Sequence, residues 1–186
     1  MLNLQIPRRI VTFAKEIPRQ ARNDKGEACM TIKLLTVGKT DVAWVREGLE
    51  LYCSRLRHYV PFELVEIPEL KKTQALTQQQ IKEKEGELIL KHLGPGDLMF
   101  LLDEHGREYR SLEFASFIEK HLSSGAKNLF FVIGGAYGFS ESVYRQARML
   151  ISLSKMTFSH QMVRTIFAEQ LYRAFTILKG EPYHHE

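Results

Sequence analysis

The chain has 186 residues, of which 44% are apolar and 26% charged, and a formal net charge of +4. That size suits one domain with or without a tail, and no apolar run approaches the ~20 residues that span a bilayer. Residues 1–29 hold six Lys or Arg against three acids, or +3, which leaves about +1 for residues 30–186. A body so close to neutral is not a general polyanion-binding domain, and any RNA affinity must rest on a local patch or on shape.

Residues 1–29 lack the continuous apolar stretch of a secretory signal, and Glu16, Asp24 and Glu27 argue against a transit peptide. Met30-Thr31-Ile32-Lys33 reads as a natural start that opens directly into a strand. The segment 1–29 is therefore expected to be a disordered or mis-assigned extension, and 30–186 a single domain. Cys29 and Cys53 have no metal-ligand spacing and read as reduced thiols of a cytosolic protein. The expected location is cytoplasmic, with no membrane and no metal.

Thr31–Val37 is a β-branched and apolar run that stops at Gly38, and predicts the first strand. Thr40 or Asp41 is placed to cap a helix with Val45, Leu49, Tyr52 and Leu56 on its apolar face. Phe62–Ile67 alternates as a half-buried strand between Pro61 and Pro68. Lys71–Gln80 reads as a mobile loop, followed by a helix capped near Thr77, with Ile81, Leu88, Ile89 and Leu93 inward. Leu98–Leu102 is a buried-strand candidate, with a turn at Asp103–Gly106. Ser111 caps a helix with Leu112, Ala115, Ile118 and Leu122 inward. Strand Leu129–Ile133, a short helix from Ser140, strand Leu150–Leu153 and a final helix from about Gln161 to Lys179 complete the chain.

This alternation predicts an α/β fold, a parallel-rich sheet with helices on both faces. Ligands of such sheets bind at the carboxyl ends of strands. Here those ends are Asp103–Gly106, Gly134–Gly138 and Ser154–His160. Gly134-Gly135-x-x-Gly138 reads equally as a tight strand-to-helix turn or as a close approach for a ligand. Ser154–His160 reads equally as an adenine-gripping loop or as a plain connection with His160 capping the final helix. Val37-Gly38-Lys39-Thr40 is not a phosphate loop, because Lys33 stands where that motif needs glycine. The final helix is apolar over much of its circumference, which fits deep burial or a subunit interface; we favour a dimer.

Several segments, in order, resemble one family. They are Leu101-Leu102-Asp103 with Gly106, Ile133-Gly134-Gly135-x-x-Gly138, Leu153-Ser154-x-Met156-Thr157-x-x-His160-x-x-Val163-Arg164, Glu169–Ala174, and Pro182-Tyr183-His184. The chain from Met30 onward is similar to the ribosomal RNA large subunit methyltransferase H family, of the SPOUT class of trefoil-knotted methyltransferases. That resemblance implies a C-terminal trefoil knot and a homodimer with sites near the subunit interface. It also implies S-adenosylmethionine as methyl donor and N3 of a pseudouridine in a 23S rRNA stem-loop, on the assembled ribosome, as acceptor. The donor contacts it implies are Leu102, Gly135, Lys155, Met156, Thr157, Phe158, Ser159 and His160. The acceptor N3 must lose a proton, which suits an imidazole base. The resemblance thus points to His184 as the catalytic group with Tyr183 placing it, and positive charge is expected from Arg164, Arg173 or a protonated His185. His185 stands where the family has arginine. Two other readings compete: a knotted methyltransferase acting on another RNA such as tRNA, and a non-catalytic ribosome-binding module.

Overall fold

Five strands and five α-helices alternate through residues 30–71 and 73–184, the part of the chain that the computed structural model describes. The readings of residues 1–29, Cys29 and His185 fall outside those residues. The order is β1 (Thr31–Val37), α1 (Ala43–Leu56), β2 (Phe62–Ile67), α2 (Gln78–Leu90), β3 (Leu98–Glu108), α3 (Ser111–Leu122), β4 (Asn128–Ile133), α4 (Glu141–Gln146), β5 (Met149–Ser152) and α5 (Met162–Lys179). The strands form one sheet in the order β2-β1-β4-β3-β5, and every adjacent pair is parallel.

Side chains alternate across a strand, so each apolar strand feeds two cores. Ile32, Leu34, Leu129, Phe131 and Phe100 face α1, α3 and α5. Leu35, Val37, Phe130, Val132, Met99 and Leu101 face α2 and α4. Phe131 links sheet to helix, its ring 5.3 Å from Phe100 and 4.8 Å from Phe167. Cys53 lies in this core, and burial pushes its thiol up to about 12, so it stays a protonated packing group.

The structure corrects several local expectations. Neither Thr40 nor Asp41 caps α1: its first turn begins at Val42 without a side-chain cap. Thr40 instead gives its backbone N–H and its hydroxyl to Glu66 Oε1, at 2.6 and 2.7 Å. The Lys71–Gln80 stretch holds a short 3-10 turn at Thr73–Ala75, and Thr77 caps α2 as expected. Arg110, not Ser111, precedes the first turn of α3, and its N–H is held by Glu113 at 3.0 Å. Leu112 is 45% exposed, and Phe114 and Phe117 take the inward place assigned to it.

β3 also outruns its apolar segment. Leu102 and Arg107 both pair with Ile151, so the chain leaves the ladder at Asp103 and rejoins it at Arg107. The expected turn is an excursion within one long strand. Gly106 is required there because a Cβ would lie 2.5 Å from backbone atoms of Ile151.

One buried cation ties the start of α5 to the sheet. Arg164 is fully buried, and its guanidinium donates to Val37 O at 2.8 Å, Gly38 O at 3.1 Å, Thr40 Oγ1 at 2.9 Å and His160 O at 2.9 Å. Glu66 Oε1 stands 3.6 Å away as counter-charge. Desolvation alone would lower the Arg164 pKa, and the acids Glu66, Asp41 and Glu69 oppose that. The Gly38-Lys39-Thr40 segment therefore serves this latch, with Gly38 in the left-handed region at φ 80°.

Arg164→Met removes the guanidinium donors from these carbonyls and the counter-charge from Glu66. It should lower the unfolding free energy in a urea titration by about 3–5 kcal/mol. Arg164→Lys should restore less than half of that loss, because lysine has no fork. A wild-type midpoint for the Met variant would show that the latch carries no stability. Gly106→Ala should cost about 2 kcal/mol or more, since Ile151 can make room only by moving the β5 backbone.

Candidate functional site

Loops from the carboxyl ends of β4 and β5 converge on the Asp103–Gly106 excursion of the adjacent strand β3. Together they line a cleft of about 670 Å3, within the ~300–1,000 Å3 range of small-molecule sites. Its walls are apolar at Leu102, Ile133, Ile151, Leu153 and Val163, and aromatic at Tyr137, Phe139 and Phe158.

The loop after β4 is tight because its ends pair with each other. Gly138 N–H donates to Gly135 O at 3.1 Å, and Gly138 has φ 79°. A Cβ on Gly134 would press to 3.1 Å from the Phe139 ring. The other side of the turn is packed by α2: a Cβ on Gly86 would meet Ser140 Oγ at 2.3 Å, and one on Gly135 would meet Glu85 Oε2 at 2.5 Å. The glycine segment is a compact turn, and it lines the cleft.

The loop after β5 is held by short polar contacts. Ser152 Oγ donates to Ser154 O at 2.9 Å, and Ser154 Oγ accepts Met156 N–H at 2.9 Å. The Thr157 hydroxyl donates to Glu104 Oε2 at 3.1 Å, which joins this loop to the β3 excursion. Ser159, not His160, meets the start of α5, its Oγ accepting Met162 N–H at 3.2 Å. His160 contributes its carbonyl to Arg164, so the latch positions the loop from below.

Of the anticipated donor-contact set, Leu102, Gly135, Met156, Thr157, Phe158, Ser159 and His160 line the cleft. Lys155 does not. Sequence reasoning missed the Asp103–Tyr144 pair, in which the phenol donates to Oδ2 at 2.6 Å while Oδ1 accepts His105 N–H at 2.9 Å. Burial and then the Asp103 bond hold the Tyr144 hydroxyl above its ordinary pKa, so it remains a donor. Glu85 was missed too. It is 9% exposed, and burial, then Glu69, raises its pKa. Its spacing of four from both Ile81 and Ile89 places it on the inward stripe of α2, a signal present in the sequence.

The anticipated catalytic residues lie elsewhere. Arg164 presents no exposed charge, so its part is positioning. Tyr183 folds back onto α5 after Gly180 ends that helix in the left-handed region. Its hydroxyl donates to Glu169 at 3.1 Å and lies 3.4 Å from the Tyr52 hydroxyl; its ring sits under the Arg173 guanidinium at 4.8 Å. Burial, then the bond with Tyr52, raises the Tyr183 pKa, so the phenol is protonated at neutral pH. Glu169 also pairs with Arg173. Neither Tyr183 nor His184 lines the cleft of its own chain.

The cleft has the size, the apolar walls and the glycine-bared backbone of a small-molecule site, with a buried carboxyl beside it. Residues 30–184 match the family model described as "Predicted SPOUT methyltransferase". The chain is 56% identical over 157 residues to the ribosomal RNA large subunit methyltransferase H of Parabacteroides distasonis, covering 84% of this chain and 100% of that one. It is 57% identical over 156 residues to the enzyme of the same name from Christiangramia forsetii, covering 84% and 99%. With that of Bacteroides fragilis the identity is 55% over 157 residues, covering 84% and 100%. An all-parallel sheet with its cleft at the strand ends, a match across the described body and identity above half to full-length relatives lead to one conclusion: the chain belongs to the SPOUT methyltransferase family.

Proposed function

We propose that this methyltransferase modifies N3 of a pseudouridine in a 23S rRNA stem-loop, with S-adenosylmethionine as donor. The observation that carries this reading is the identity of 55–57% to relatives named for the ribosomal RNA large subunit. The β3 excursion and the loops after β4 and β5 support the donor site, and they are the segments that the family's trefoil knot would tie. When bound, S-adenosylmethionine supplies an already activated methyl group, so the chain's work is positioning and proton removal. Loops 134–138 and 154–160 would hold the donor, with the Arg164 latch fixing the second of them.

N3 of the acceptor exchanges a proton for a methyl group, and His184 takes that proton. Tyr183, protonated and held by Glu169, fixes the backbone next to His184. His185 adds positive charge toward the RNA when protonated. Because the tail lies away from its own cleft, the reading requires a homodimer in which one protomer's tail meets its partner's cleft. Exposed apolar side chains support such an interface: Trp44 at the start of α1 is 59% exposed and Met162 at the start of α5 is 41% exposed. Among the described residues no helix is long and apolar enough to cross a membrane.

Light scattering should give twice the 21.6 kDa chain mass. With tritiated donor, methyl transfer should be strong on assembled ribosomes lacking the modification and weak on naked rRNA or tRNA. Equal transfer to naked rRNA would refute recognition of the assembled particle, and preference for tRNA would refute the rRNA reading. His184→Ala should bind S-adenosylhomocysteine as wild type does while losing about 100-fold or more in methylation rate. Full activity in that variant would remove His184 from the mechanism.

A further inference from the structure

Beside the cleft lies a second cavity, of about 220 Å3. Gly135, Ala136, Tyr137 and His160 line both, so the two spaces share a wall formed by the glycine turn. Two carboxylates, Glu69 and Glu85, line the small cavity together with that turn. Glu85 is more than nine-tenths buried, and its Oε2 accepts no hydrogen bond among the described residues. The same oxygen lies 2.5 Å from where a Cβ on Gly135 would stand, so the glycine keeps the space above this carboxylate open.

A buried carboxylate without a donor is costly, and a cation supplied by a ligand relieves that cost. Among the described residues no group of three or more His, Cys, Asp or Glu is placed to hold a metal ion, which favours an organic cation. The methyl donor proposed above carries one at its amino-acid end. We propose that Glu85 receives the primary ammonium group of S-adenosylmethionine in this side cavity, with Glu69 adding to the negative field. This rests on the donor reading and adds to it a binding residue on α2, outside the three cleft segments. It also gives Gly135 a second purpose, since any side chain there would push Glu85 off the ammonium.

The test is calorimetry with three ligands on the full chain. They are S-adenosylhomocysteine, its deaminated analogue, which keeps the carboxylate, and 5′-methylthioadenosine, which lacks the whole amino-acid end. Wild type should bind S-adenosylhomocysteine about 10- to 100-fold more tightly than the deaminated analogue, the worth of one charge-assisted hydrogen bond. In Glu85→Gln that gap should close, while 5′-methylthioadenosine binds both proteins equally. A gap that survives in Glu85→Gln places the ammonium elsewhere and overturns the proposal. So does the absence of a gap in wild type, a result that does not depend on the variant folding. Equal weakening of all three ligands by Glu85→Gln would mark a merely structural residue and likewise overturn it. If wild type binds none of the three, the donor reading itself fails, separately from Glu85.

Discussion

The buried guanidinium of Arg164 is the constraint on which the rest depends. It sits where the ends of β1 and β2 meet the first turn of α5, and it gathers carbonyls from Val37, Gly38 and His160 onto one rigid fork. The cleft loop 154–160 is thereby anchored at its far end to the sheet. Its near end is anchored by β5. A loop fixed at both ends keeps its backbone amides and carbonyls in place before any ligand arrives, and preorganisation of this kind lowers the entropy lost on binding. A lysine would supply charge without the planar fork, so charge alone does not explain the residue.

Much of the architecture was legible because its signals are local. Alternating apolar runs gave the strands, four- and three-residue spacing gave the helices, and their strict alternation gave a parallel sheet with two covered faces. Errors arose where distant partners decide the outcome. Thr40 looks like a helix cap until Glu66, twenty-six residues on, takes both of its donors. β3 looks five residues long because its polar continuation pairs with Ile151 a second time, which no pattern of hydrophobicity encodes.

The candidate site divides in the same way. Strand ends and glycines marked the cleft loops, and seven of eight anticipated donor contacts line the cleft. Arg164 could not be read as a latch from sequence, since a charged residue on a helix gives no sign of complete burial. Glu85 was readable, because it falls on the inward stripe of α2 between Ile81 and Ile89, yet a carboxylate in that place makes sense only with the glycine turn packed over it. Tyr183 was expected to place a base, and it is indeed fixed, but against its own α5 and away from its own cleft. That separation makes the dimer a requirement of the chemistry proposed here rather than an incidental property.

The proposed division of labour is a methyl-donor cleft along β4, β3 and β5, steadied by Arg164, with the proton acceptor on the tail of a second copy. The most direct test of the central claim is mass mapping of large-subunit rRNA from cells lacking this chain, with and without the wild-type gene restored. The account predicts the loss of one methyl group from a pseudouridine in a single 23S rRNA stem-loop, and its return on complementation. An unchanged rRNA methylation pattern, or a methyl group lost from tRNA instead, would contradict it.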